Sequence, residues 1–297
     1  MSIWQTKSWQ EMLLKSKQIE KIIEVDNVFI EKRSIGLGQF GLFVLGVNNI
    51  NSDFLEKVKS LCKIEKSLFI QFETLNYAND LSIKLEGVAN NYYKKFITPY
   101  TAIIDLNLRE DEILSMMKPK GRYNIKLAEK KGVIVKEVEK TKENIEIFYN
   151  LMIETTSRDN FNGNSLDYYM TFLNSLKESK LFIAFFDDKP ISAGIFTFIG
   201  EEAIYYYGAS TSDINYRNLM SPYLLQWTAI FKAKQLGMKI YDFLGVATPG
   251  EENSHLRGVT DFKSKFTSNI VKVSDSYIFV NNKIKYNLLQ LLRKFKR

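Results

Sequence analysis

His255 and Cys62 are the only histidine and the only cysteine in 297 residues, and their scarcity removes much catalytic machinery at once. A Ser-His-Asp triad has a single imidazole to use, a multi-histidine zinc site cannot be built, and one thiol supports neither a disulfide framework nor a cysteine metal cluster. Carboxylates, lysines, arginines and tyrosines are left to carry chemistry. "RSIGLGQFG", from Arg33 to Gly41, has cofactor-like spacing. Read as Gly36-x-Gly38-x-x-Gly41 it fits a dinucleotide fingerprint, and read as Arg33-x-x-Gly36-x-Gly38 it fits the pyrophosphate loop of an acetyl-CoA-dependent N-acetyltransferase. Both readings need the glycines to open a helix whose first amides bind phosphate. Here "QFGLFVLGV" follows, which reads as a strand, and Asp53, near the distance of a ribose-binding acid, falls in the polar "NNINSD" loop. The acetyl-CoA loop also belongs after an antiparallel meander, and none is expected before residue 33. The stretch is expected to be two strands with a glycine-rich connection, whose cations Lys32 and Arg33 can meet an anionic substrate.

The surrounding elements follow from periodicity. Residues 1–24 read as a helical start, with Trp4, Trp9, Met12, Leu13 and Ile19 at near-helical spacing. "FLEKVKSLCKIEKS" is an amphipathic helix between strand candidates. A helix, a basic turn at Lys118–Arg122, a second helix and a strand are expected over 109–140. "KLFIAFFDDKPISAGIFTFIGEEAIYYYGAS" predicts three strands joined by tight turns at DDKP and GEE. "SPYLLQWTAIFKAKQLG" predicts a helix ended by Gly237, and "MKIYDFLG" a strand. A three-strand meander, then a helix and a strand, is the order of an acyl-CoA N-acyltransferase (GNAT) core. "YNIKLAEKKGVIVKEV" and "WTAIFKAKQLGMKIYDF" share a helix–Gly–strand pattern, which suggests a duplicated unit. The expected fold is therefore α+β, two GNAT-like domains, over 1–142 and 143–275, with 276–297 returning to the first. The loop "GASTSDINYRNLMSPY" before the second-half helix lacks the acetyl-CoA motif, so no phosphate loop stands where that fold would hold one.

Charge and hydropathy add broader limits. The net charge of +7 favours an anionic partner: nucleic acid, nucleotide or anionic lipid. No apolar run reaches the roughly 18–20 residues of a membrane span, and the mixed N-terminus lacks a signal core, so a cytoplasmic location is expected.

Beyond residue 100 the sequence resembles a known family. "TAIIDLN", "GRYNIKLAEKKGVIVKEV", "MIETTSRDNF", "YYYGAS", "YRNLMSPYLLQWTAIFKAKQLGMKIYDFLGV" and "VTDFKSKF" occur in the order found in the FemABX family, the aminoacyl-tRNA-dependent transferases of peptidoglycan cross-bridges. The first hundred residues match only loosely. With no pair of long heptad helices, the chain is similar to the compact members that lack a coiled-coil arm. The resemblance implies two GNAT-like domains, no cofactor and no metal, an aminoacyl-tRNA donor, and as acceptor a stem-peptide amine of UDP-MurNAc-pentapeptide or lipid II.

It also implies site residues. Lys263 in "DFKSKF" matches the lysine of a late Phe-Lys motif that steadies the tetrahedral intermediate, with Phe262 as its packing neighbour; a solvated strand face is the alternative. Asp105 in "IIDLN" matches a family aspartate that would position the amine or take its proton, although a helix cap or a partner for Arg122 explains it equally well. Substrate-assisted proton transfer would make an enzyme base unnecessary. Arg33 lies where the family places a cation and Arg217 matches a family arginine, so both, with Lys32, Tyr100 and Tyr216, are candidates for holding substrate phosphates. A salt bridge from Arg217 to Asp213 or Asp242 is the alternative. Lys120, Arg122 and Lys126 are candidates for contact with the tRNA backbone. An acyl-CoA-dependent N-acyltransferase and a basic RNA-binding module remain the competing functions. The C-terminal "NKIKYNLLQLLRKFKR" puts Ile284, Leu288, Leu291, Leu292 and Phe295 on one stripe. That stripe either lies on anionic lipid, peripheral to the inner membrane face, or docks on the first domain; docking is expected.

Overall fold

The computed structural model describes residues 2–48, 50–77 and 87–295 and divides the chain into two compact units, Met1–Pro99 with Lys272–Arg297, and Tyr100–Val271. The first unit opens with a helical turn, Ile3–Gln5, and helix α1 (Lys7–Lys15), whose N-cap Thr6 accepts from Trp9 N. The helix stops well before residue 24, because Lys17 turns to φ 57° and the alternating "KIIEV" forms β1 (Lys21–Val25). Asp26 and Asn27, both at positive φ, make the tight turn to β2 (Val28–Gly36). The next turn passes through Gly36, Leu37 and Gly38, all at positive φ, into β3 (Gln39–Val47). The glycine-rich stretch is thus the hairpin connection foreseen for it, with no helix behind it. A meander does exist here, contrary to expectation, because Lys21–Val25 forms a strand paired with β2 instead of continuing the helical start.

Helix α2 (Ser52–Ile64), capped by Asn51, leads to β4 (Phe69–Thr74), after which the chain passes to the second unit. There it forms β5 (Tyr100–Asp105), α3 (Glu110–Met116), α4 (Pro119–Lys130) and β6 (Ile134–Val138). Helices α5 (Lys142–Asp159) and α6 (Leu166–Ser175) follow, each capped by a hydroxyl, Thr141 and Ser165. The predicted meander is β7 (Ser179–Phe186), β8 (Lys189–Ile199) and β9 (Glu202–Ser210), with Asp187 and Asp188 at positive φ in its first turn. A short α7 (Ile214–Arg217) precedes α8 (Ser221–Gln235), which ends before Gly237 at φ 75°. Then come β10 (Ile240–Gly245), α9 (Arg257–Lys263) and β11 (Ile270–Lys272). The chain returns to the first unit as β12 (Ser276–Val280) and α10 (Lys283–Lys294).

The first sheet has the order β1-β2-β3-β4-β12 and the second β11-β5-β10-β9-β8-β7-β6. Each contains an antiparallel meander, a crossover helix and a parallel fourth strand: β3 with β4 through α2, and β9 with β10 through α8. Each fourth strand has an antiparallel neighbour on its far side, β12 or β5. That shared order is the two-domain GNAT-like fold.

Three expectations need correcting. The boundary lies at Pro99/Tyr100 rather than at 142, because β5 pairs with β10 and β6 with β7, both in the second sheet. The helix–Gly–strand segments proposed as copies both belong to the second unit, as α4–β6 and α8–β10; the repeated frames are β1–β4 and β7–β10. Finally, α10 returns to the first unit but does not dock by its leucine stripe. Tyr286 and Leu289 are buried, whereas Ile284, Leu288, Leu291, Leu292 and Phe295 face solvent.

Candidate active site

The second sheet opens where β10 leaves β9. The parallel pairing has three rungs, Ile240 with Glu202, Tyr241 with Ala203 and Asp242 with Ile204, while β9 runs on beside β8 to Ser210. On its other edge β10 is bulged against β5: Asp242 faces Ile103, but the next partner pair is Gly245 with Thr101. Leu244, inside the bulge, has φ 56°, a left-handed conformation that costs a non-glycine residue roughly 1–2 kcal/mol and persists only where neighbours hold it.

Those neighbours form one network. Asp242 Oδ1 accepts from Leu244 N at 2.7 Å and from Thr101 Oγ1. Lys263 Nζ donates to the carbonyls of Leu244 at 3.1 Å and Gly245 at 2.8 Å. Val246 N donates to Tyr100 O at 3.0 Å, and Ala247 N to Thr260 Oγ1 at 2.8 Å. The strand exit is therefore fastened to β5 on one side and α9 on the other. Tyr223, Phe262, Phe266 and Phe243 pack as a chain of rings with centroids 5.3–5.5 Å apart, fixing α9 from below.

Lys263 is 6% exposed and ends a helix rather than lining a strand face. Burial pushes its ammonium down from 10.5 to about 8, with the Asp242 carboxylate opposing the shift. It remains mostly protonated at neutral pH, held by two carbonyls, and an ammonium carries three donors. Among the described residues one N–H is left over. A cation of this kind, fixed and partly desolvated, suits a developing oxyanion far better than a hydrated surface lysine does.

Other candidates are placed elsewhere. Asp105 is exposed, and its Oδ1 accepts from Asn107 N and Nδ2 in a turn after β5. It faces Ile240, at the opposite end of β10 from Gly245, so about four residues of strand, on the order of 13 Å, separate it from the Lys263 end. Arg122 donates to the Ser115 and Met117 carbonyls, so it does not partner Asp105. Lys120 and Lys126 are exposed on α4. Arg217 is exposed and, among the described residues, makes no ion pair with Asp213 or Asp242; Asp213 pairs with Lys189 at 3.6 Å. Tyr216 lies beneath Lys189, with Nζ 4.1 Å from its ring centre. Tyr100 is half-buried at the start of β5, its carbonyl in the network.

In the first unit, Arg33 is buried and donates to Glu31 at 2.6 Å, and its guanidinium lies 4.4 Å from the Phe96 ring. Lys32 donates to the Glu65 side chain at 2.9 Å and main chain at 3.0 Å. Neither cation is idle, contrary to the simplest reading of the sequence. Burial pushes the Cys62 thiol up to about 12, which removes it as a nucleophile, and His255 is exposed in the segment between β10 and α9. Asp242 was missed because it stands in "IYDFLG", which reads as a plain strand. An acid flanked by buried aromatic residues, with a lysine some twenty positions later, is the signal that could have found it.

The sequence matches the model of the FemAB family over residues 71–187 and 176–294. It is 22% identical over 328 aligned positions to a lipid II:glycine glycyltransferase of Staphylococcus epidermidis, covering 84% of this chain and 78% of that protein. It is 31% identical over 111 positions to the aminoacyltransferase FemA of Staphylococcus epidermidis, covering 37% of this chain and 26% of that one. The crystal structure of FemX superposes with a TM-score of 0.84 at 16% identity, covering 97% of this chain and 94% of FemX.

Proposed function

The chain belongs to the FemAB family, and on that premise we propose that it moves an aminoacyl group from aminoacyl-tRNA to the side-chain amine of a peptidoglycan precursor. The acceptor would be UDP-MurNAc-pentapeptide or lipid II, met at the cytoplasmic side of the membrane. The names of the relatives, a lipid II:glycine glycyltransferase and an aminoacyltransferase, support that reaction class. The amine attacks the ester carbonyl, a C–N bond forms, and the C–O bond to the terminal ribose of the tRNA breaks. The ester is already activated, so no enzyme nucleophile is needed.

The observation that carries the reading is Lys263, a buried ammonium that holds the Leu244 and Gly245 carbonyls at the end of β10 and, among the described residues, keeps one donor spare. That donor stabilises the tetrahedral oxyanion, and Phe262 packs beside it. The attacking amine, with a pKa near 10.4, must shed a proton. Asp105 stands at the far end of β10 and Asp242 is committed to the bulge, so the proton passes to the departing ribose oxygen, without an enzyme base. Arg217, Tyr216 and Tyr100 are assigned to the anionic parts of the substrates. The exposed lysines of α4, Lys120 and Lys126, are assigned to the tRNA backbone, with salt-sensitive affinity.

An acyl-CoA reading is disfavoured by the start of α8. Met220 occupies the N-cap at φ 58° without a side-chain cap bond, and Pro222 removes one of the amides a pyrophosphate would use. Purified protein given a pool of radiolabelled aminoacyl-tRNAs with UDP-MurNAc-pentapeptide or lipid II should transfer one label to the acceptor. Acetyl transfer from acetyl-CoA, with no label moved from any tRNA, would overturn the reading.

A further inference from the structure

Helix α10 has two apolar faces, and the fold uses only one. Tyr286 packs edge-on against Phe69 with centroids 5.5 Å apart, Leu289 is buried, and Gln290 Nε2 donates to the Tyr286 hydroxyl at 2.7 Å. Arg293 stacks 4.0 Å over the Tyr93 ring and donates to the Tyr93 carbonyl at 2.8 Å. Asn282 caps the helix by accepting from Lys285 N at 3.0 Å. These contacts hold α10 to the first unit without the leucine stripe.

The stripe itself is turned outward. Ile284, Leu288, Leu291, Leu292 and Phe295 are between 40% and 84% exposed. At about 100° per residue they fall within one arc roughly 100° wide. Lys283 flanks that arc on one side and Lys285 on the other. From residue 276 onward the sequence contains no acid, and Lys296 and Arg297 add further positive charge. A soluble surface rarely leaves so many large apolar residues together without a cover.

We propose that this face of α10 binds an anionic lipid surface, the helix lying in the membrane plane. Two features choose lipid over a second copy of the chain. Cations on both margins of an apolar arc match a negative headgroup layer with an acyl boundary beneath it. Two such helices facing each other would instead bring lysine against lysine with no acid in the segment to answer it. The helix is about 18 Å long, too short to cross a bilayer, and among the described residues no helix is long and apolar enough to do so. The inference stands on α10 alone and does not depend on the transferase reading.

The test is co-sedimentation of the full chain with phosphatidylcholine vesicles, with and without about a third phosphatidylglycerol. The chain should pellet with the anionic vesicles, more weakly in high salt, and stay in the supernatant with the neutral ones. Leu288→Glu with Leu291→Glu should lower the partition coefficient about tenfold or more while the melting temperature is kept, since both positions are exposed. Transfer to the water-soluble UDP-MurNAc-pentapeptide, where the wild type shows it, should be unchanged. Failure to pellet, pelleting that the double variant leaves intact, or a dimer in solution that the double variant makes monomeric would each overturn the proposal.

Discussion

The two units repeat one frame and close it differently. In the first, β3 and β4 pair over five rungs, from Leu42–Ile70 to Val47–Thr74, and the sheet is sealed to the end of β4. In the second, β9 and β10 pair over three, and the strands part at Asp242. Both fourth strands bury an acid. Glu73 is held by neutral donors: Gln71 Nε2 at 2.6 Å, Phe96 N at 3.0 Å and Ile97 N at 2.5 Å. Burial outweighs those bonds and pushes its carboxyl up to about 7. Asp242 instead faces a buried lysine across a bulge. The first acid stitches a loop to a closed sheet, while the second holds open a strand end beside a cation. Two frames with the same strand order therefore differ most at the end of the fourth strand.

The largest effect is expected from disturbing charge in the sealed unit. Glu31 is the buried partner of Arg33, so Glu31→Leu should cost about 3–5 kcal/mol in urea unfolding by leaving an uncompensated buried guanidinium. Joint replacement of Glu31 and Arg33 by leucine and methionine should recover most of it. In the open unit the larger effect falls on transfer. Lys263→Met removes an ammonium that is costly to bury but that donates to the Leu244 and Gly245 carbonyls, so the melting temperature should fall only modestly while transfer falls about 10²–10³-fold. A fall in stability matched by only a small loss of transfer would make Lys263 a structural residue.

A smaller effect concerns pH. Because the folded pKa of Glu73 lies above its unfolded value, the folded chain binds more protons between about 4.5 and 7, and this group's contribution to stability declines as pH rises through that window. Comparing wild type with Glu73→Gln in urea at pH 5 and pH 8, the gap between them should shift by on the order of 2 kcal/mol. A gap that does not move with pH would show that Glu73 is ionised throughout.

How much of this could be read from residues depends on distance along the chain. The β7–β9 meander, α8 and its Gly237 terminus, and the turn at 36–38 are local, set by alternation, caps and residues that accept positive φ. The boundary was not legible, because β5 finds its partner β10 some 140 positions later and no periodicity announces that pairing. The strand "KIIEV" was hidden behind a helix whose apolar spacing extends nearly to it. Lys263 came from resemblance alone. Its mate Asp242 did not, since an acid in a strand says nothing by itself about the bulge that makes it useful. The stripe of α10 was visible in the sequence but the face it presents was not, because Tyr286 and Leu289 are enough to dock the helix.

The most direct measurement is the pH dependence of single-turnover aminoacyl transfer in wild type and Asp242→Asn. If the Lys263 ammonium stabilises the oxyanion, transfer should fall away as pH passes about 8. Removing the carboxylate that supports that charge should move the fall to lower pH. A rate that stays level to about pH 9.5, or an alkaline limb that Asp242→Asn leaves in place, would contradict the account.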